Sequence, residues 1–99
     1  MTPYTLAPLA QADLDEIWLF IAKDSVSAAD RLLATFRQKF DLLARQPLLG
    51  QRRDDLYPNL RAFVAGSYVI YYEPMGKRIR VARVLHGSRD VRPLFEERS

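Results

Sequence analysis

Leu14, Ile17, Trp18 and Ile21 recur at the three- and four-residue steps of a helix. The helix they mark opens near Pro8, whose missing N–H suits a first helical turn. Ahead of it, "YTLAP" (Tyr4 to Pro8) predicts a short strand. Asp13, Asp15 and Glu16 fall in the N-terminal half of this helix, where the helix dipole favours negative charge. A second apolar stripe, Ala29, Leu32, Leu33, Phe36, Phe40 and Leu43, predicts a second helix running to about residue 45. Ser27 followed by Asp30 resembles a capping box at its start. Pro47 pushes Gln46 out of the helical region and ends it. The short link "KDSVS" makes the two helices an antiparallel hairpin.

After Gly50 the period shortens from helical to alternating. "QRRDDLYPN" reads as a polar loop. "LRAFVA", "YVIYYE" and "RIRVARVLH" read as three strands, joined at "GS" and "PMGK". "GSRD" breaks the last strand, and Ser88 is expected to cap a short helical turn from Val91 to Leu94. The predicted fold is α+β in the order β-α-α-β-β-β. A short strand and an antiparallel helical hairpin pack on a small antiparallel sheet, as a single domain over residues 1–99.

Composition narrows the chemistry. The 99 residues are 48% hydrophobic and 27% charged, the balance of a folded soluble domain. With no cysteine, disulfides and thiolate metal sites are excluded, and a single histidine argues against zinc, so no metal and no cofactor are expected. No apolar run is long enough to span a membrane. The first residues lack a basic segment followed by an apolar one, which predicts no secretory signal and a cytoplasmic protein. The net charge of +3 is uneven. Residues 1–50 hold five Lys/Arg against six Asp/Glu, and residues 51–99 hold ten against six. The basic half suits nucleic acid or an acidic protein, but no sequence-specific DNA binding by the chain alone is expected.

Strict alternation in the last strand puts Ile79, Val81, Arg83 and Leu85 on one face, and Arg80, Ala82, Val84 and His86 on the other. Arg83 among apolar neighbours calls for a carboxylate from the first helix, Asp13 or Glu16. Alternatively it holds an anion or a partner. Arg61 either holds a phosphate or anchors the Asp54–Asp55 loop. His86 either moves protons or serves as a turn residue bonded to nearby backbone. A lone histidine ahead of glycine favours the turn. Arg61, Arg83 and His86 are the set an RNase would use. One histidine cannot be both base and acid in a single step, and no second group is recognisable beside it. Tyr68, Tyr71 and Tyr72 are able to stack bases, yet strand aromatics more commonly fill cores.

Three segments, "LAPLAQADLDEIWLFIA", "PLLGQRRDDLYPNLRAFVAGSYVIYYEP" and "IRVARVLHGSRDV", together span nearly the whole chain. In this order and spacing they resemble the ParE branch of the RelE/ParE toxin superfamily, the toxin halves of bacterial toxin–antitoxin pairs. The resemblance implies a helical hairpin on a small sheet. It implies a ParD-like antitoxin as partner, in a hetero-oligomer. It also implies inhibition of DNA gyrase by binding rather than catalysis. RelE-type mRNA endonucleases cluster lysines around the sheet. Here Arg61, Arg83 and His86 fall at comparable places, but the lysines are limited to Lys23, Lys39 and Lys77, on helices and a turn. The remaining alternatives are that endonuclease activity or a non-toxic regulator that only binds the antitoxin. On this resemblance Trp18, Arg61, Tyr71 and Arg83 are expected to meet the antitoxin. Arg89, Arg92 and Phe95 in an exposed tail are expected to meet the target.

Overall fold

The structure, a computed structural model, describes residues 3–96. The elements run β1 (Tyr4–Leu6), α1 (Pro8–Ala22), α2 (Val26–Arg45), β2 (Gln51–Arg52), β3 (Arg61–Ala65), β4 (Tyr68–Met75), β5 (Arg78–His86) and α3 (Arg92–Glu96). They build one five-stranded sheet in the order β1-β5-β4-β3-β2. The predicted meander is β3, β4 and β5, all antiparallel. Gly66 and Gly76 open its two-residue turns at φ 62° and 66°, a region that residues with a Cβ avoid.

The sheet is mixed rather than purely antiparallel. β1 lies parallel to β5, with Tyr4, Leu6 and Ala7 tied beside Ile79 and Val81. The expected polar loop begins with two residues, Gln51 and Arg52, that pair with Ala62 and Arg61 as β2. Both additions are too short to leave a periodic signal.

The helix ends are set by small residues. Pro8 occupies the first turn of α1, as its sequence indicates. The cap of α2 is Ser25 rather than Ser27. Its hydroxyl accepts from the Ala28 amide at 3.1 Å, and the helix begins at Val26. At α3 the residue reaching into the first turn is Asp90, which accepts from the Arg92 amide. Ser88 is bound to His86 instead.

Two apolar clusters sandwich the sheet. The larger lies between sheet and helices and includes Leu14, Phe36, Phe40, Leu43, Ile70, Tyr72, Ile79, Val81 and Val84. The smaller lies on the opposite face, where Leu60, Tyr71, Ala82, Leu85 and Phe95 pack under the 53–57 loop and α3. A bulge in β5 divides its residues between the two. Tyr71 opposes Arg83 while Tyr72 opposes Val81, so Ala82 has no partner across the ladder. The extra residue shifts the alternation. Ile79, Val81 and Val84 therefore face the helices, while Ala82 and Leu85 face α3. This corrects the strict alternation expected from the sequence, which grouped Ile79 and Val81 with Leu85.

Candidate functional site

α1 is apolar on more than one face because "IWLFIA" places six apolar residues in succession around its circumference. Leu14 and Ile17 join the core, whereas Leu19 and Phe20 are 61% and 69% exposed. Trp18 lies half-buried between the helices and donates from Nε1 to Asp30 Oδ1 at 2.8 Å. On one side of this ridge Trp18, Leu19, Asp15, Asp30, Leu33 and Arg37 line a broad open depression of 530 Å³. On the other side a 300 Å³ cavity lies against the ends of β4 and β5. Its walls include Glu16, Ile17, Phe20, Tyr68, His86 and Arg89.

Below that cavity Asp13 does two things at once. Its carboxylate holds Arg83 bidentately, with Nε and Nη2 donating at 2.8 and 2.9 Å. It also accepts from the Val84 amide at 3.0 Å. β1 ends at Leu6, opposite Val81, so the edge of β5 beyond that point is finished by a side chain in place of a strand. Both side chains are nearly buried, 7% exposed for Asp13 and 11% for Arg83. Of the two carboxylates that the sequence offered for Arg83, Asp13 is the partner.

His86 sits where β5 stops and is exposed. Its Nδ1 accepts from the Ser88 amide at 3.1 Å and lies 2.7 Å from the Ser88 hydroxyl. Its ring meets Tyr68 edge to face at 5.4 Å. Arg61 bonds the 48–50 stretch, and its charge also acts on Asp54. Its Nη1 donates to the carbonyls of Gly50 and Leu48 at 2.8 and 3.2 Å. The Asp54 carboxylate is held by Arg52 and the Asn59 amide, which set it below the usual carboxylate range. Tyr72 fixes the same 47–50 stretch from beneath. Its hydroxyl donates to Pro47 O and accepts from the Gly50 amide, both at 2.8 Å, and burial pushes its phenol pKa up.

Arg61, Arg83 and His86 are therefore not gathered around one cavity. Arg61 lines a 250 Å³ depression with Leu48, Arg52, Asn59 and Pro74. His86 lines the one against α1, and Arg83 lies in the pair with Asp13. Arg61 is opposite Tyr72 and His86 opposite Tyr68, four residues apart along β4 or about 13 Å. Tyr68, Tyr71 and Tyr72 all pack into the two clusters. Among the described residues no three His, Asp or Glu groups are placed to hold a metal.

The tail is exposed in part, but not at Phe95. Phe95 is 1% exposed and stacks obliquely on Tyr71, with ring centroids 5.2 Å apart. Tyr71 in turn is 4% exposed, so neither ring presents a surface to a partner in this arrangement. Arg89 and Arg92 are exposed. Arg92 pairs with Asp55 at 3.2 Å, and Arg53 holds the same carboxylate through two bonds. Residues 97–99 of the expected tail lie outside the described residues. Sequence reasoning passed over Leu19 and Phe20. The readable signal was the length of the apolar run, which exceeds what one buried helix face accommodates.

Comparison with known proteins gives this arrangement a family. The family model described as the ParE toxin of type II toxin–antitoxin systems, parDE, matches residues 4–91. Toxin ParE1 of Caulobacter vibrioides is 33% identical over 93 residues, covering 93% of this chain and 96% of the relative. Toxin ParE1 of Mycobacterium tuberculosis is 37% identical over 90 residues, covering 89% and 92%. A chain in a solved structure of a chromosomal ParDE system from P. aeruginosa shares the fold with a TM-score of 0.69. It is 19% identical, and the match covers 84% of this chain and 92% of that one. The chain belongs to the ParE toxin family of type II toxin–antitoxin systems.

Proposed function

We propose that this toxin acts in the cytoplasm by binding and inhibiting DNA gyrase, so that replication stops, and that a ParD-like antitoxin neutralises it in a hetero-oligomer. The family match carries the toxin reading. The outward face of α1 supports the antitoxin: Leu19 and Phe20 form an apolar ridge of the kind that an amphipathic partner segment covers. On this reading Trp18 lies at the edge of that contact and Arg83 fastens α1 to the sheet beneath it, whereas Arg61 and Tyr71 lie away from α1 and support the fold.

Inhibition by binding is the better reading of the side chains. The three residues an RNase would use are dispersed, and Arg61 and Arg83 are engaged within the fold. At the target-facing end, Arg89 and Arg92 are the exposed contacts, and Phe95 holds them in place by docking α3.

The reading is tested by inducing the chain in a bacterial host with and without the gene encoded beside it. Growth arrest with blocked DNA synthesis, relieved by coexpression, is the expected result. Arrest with intact DNA synthesis and cleaved mRNA would overturn it in favour of the endonuclease. No arrest at all would favour a regulator that only binds antitoxin.

A further inference from the structure

Arg52 and Arg61 are direct partners across β2 and β3, so their side chains leave the same face of the sheet at neighbouring positions. Like charges so placed repel each other, and one carboxylate answers both. Asp54 accepts from Arg52 Nε at 2.7 Å and also feels the Arg61 charge. Asp55 is taken up by Arg53 and Arg92 instead. Two guanidiniums against one carboxylate leave a single positive charge over at the 250 Å³ depression that the arginines line. Arg61 spends only Nη1 on the Leu48 and Gly50 carbonyls, and Arg52 only Nε on Asp54. Among the described residues no acceptor meets the remaining N–H groups of either fork. The rest of the lining is Leu48, Pro74 and Asn59. Asn59 holds a left-handed backbone at φ 68°, with its amide closed by Asp54 and its side chain left to the depression. Tyr72 pins the 47–50 stretch, so the wall at Leu48 is formed in advance.

We propose that this depression binds a phosphodiester of a DNA strand, with Arg52, Arg61 and the Asn59 side-chain amide on its non-bridging oxygens and the deoxyribose against Leu48 and Pro74. The surplus of one positive charge matches a phosphodiester, which is a monoanion. A dianionic phosphate monoester would set an excess of negative charge beside Asp54. The volume lies below the ~300–1,000 Å³ of sites that enclose a whole small molecule, and suits one link of a polymer. The Leu48 and Pro74 side chains offer no bond to a ribose 2′-hydroxyl, which favours DNA over RNA. The contact is with the backbone alone, so it carries no sequence preference. The inference rests on the gyrase reading above, in that gyrase presents the DNA. The toxin then meets the enzyme through one surface and the strand it holds through another.

The purified chain is titrated into fluorescein-labelled oligo(dT) at low salt while anisotropy is followed. A Kd of about 100 μM is expected. Arg52→Gln is expected to weaken binding about fivefold. Asp54→Asn is expected to strengthen it about threefold, because the competing negative charge goes while the Asn59 amide keeps an acceptor. The control Lys77→Gln removes the same charge from the turn between β4 and β5, and is expected to change the Kd by less than about twofold. All three side chains are exposed, and melting curves verify that the variants fold alike. Equal losses in Arg52→Gln and Lys77→Gln, or no gain in Asp54→Asn, overturn the depression as the site. Oligo(U) of the same length bound more tightly than oligo(dT) overturns DNA as the strand. An oligoglutamate peptide bound more tightly than oligo(dT) overturns the phosphodiester in favour of an acidic protein. The titration contains no gyrase, so its failure leaves the gyrase reading standing. Gyrase left uninhibited by a toxin that still binds oligo(dT) as described refutes that reading and keeps the site.

Discussion

Asp13 and Arg83 are joined by two hydrogen bonds of 2.8 and 2.9 Å across 70 residues of sequence, and the same carboxylate closes the Val84 amide. The pair fastens the middle of α1 to β5 at the point where β1 has run out. Removing one partner takes the charge-assisted bonds away from a nearly buried charge. Asp13→Asn is expected to lower unfolding free energy by about 3–5 kcal/mol, the range for broken buried pairs. The double substitution Asp13→Leu with Arg83→Met is expected to lose less, since it buries no lone charge. Urea unfolding followed by Trp18 fluorescence measures both.

Gly50 is fixed by Tyr72. A Cβ built at residue 50 would lie 2.6 Å from the Tyr72 hydroxyl and 3.0 Å from the Ala62 carbonyl. Gly50→Ala is expected to cost about 1–3 kcal/mol through this overpacking. Tyr72→Phe removes the group that satisfies the Gly50 amide and the Pro47 carbonyl, and is expected to cost a similar 1–3 kcal/mol or so. Both are read from denaturant midpoints at unchanged slope.

Arg92 and Phe95 are neighbours in α3 with opposite expected effects. Phe95→Ala empties the second cluster, and is expected to destabilise the fold by about 3–5 kcal/mol. Arg92→Glu breaks only an exposed pair with Asp55, and is expected to change stability by less than about 1 kcal/mol. On the target-facing reading it nonetheless reduces toxicity. Deleting residues 93–99 therefore does not separate function from folding, because it removes a core ring along with the tail. Melting curves beside growth assays distinguish the two substitutions.

Acid is expected to loosen α3 at its tether. The bond from Arg53 sets Asp55 below the usual carboxylate range, and Arg92 adds to the effect. A carboxylate whose folded pKa is depressed contributes stability at neutral pH, and that contribution is lost as pH falls through the folded value. The Phe95 and Tyr71 ring resonances are expected to move together below about pH 4, and not between pH 5 and 8. In Asp55→Asn the acid-dependent step is expected to vanish.

The helices, the three main strands and their order were legible in the sequence, because each carries a long periodic pattern. β1 and β2 contribute three and two residues, and only their pairing partners define them. The bulge at Ala82 left no trace for a similar reason, since a one-residue insertion shows only against the opposite strand. At the site, Arg83 was readable as a charge on a core face that called for a carboxylate from α1, with Asp13 and Glu16 both on offer. Phe95 was misread because a short terminal segment rich in charge looks exposed, and the cluster that covers it comes from β4, β5 and Leu60, all distant in sequence. Leu19 and Phe20 could have been found by asking how many faces of α1 "IWLFIA" fills.

The central claim, that the toxin inhibits gyrase by binding, is tested most directly with purified gyrase, plasmid DNA and the purified toxin in a mixture free of ribosomes. The account predicts loss of supercoiling with accumulation of cleaved DNA, reversed by prior addition of the antitoxin. Supercoiling that proceeds unchanged at toxin concentrations in large excess over gyrase would contradict it.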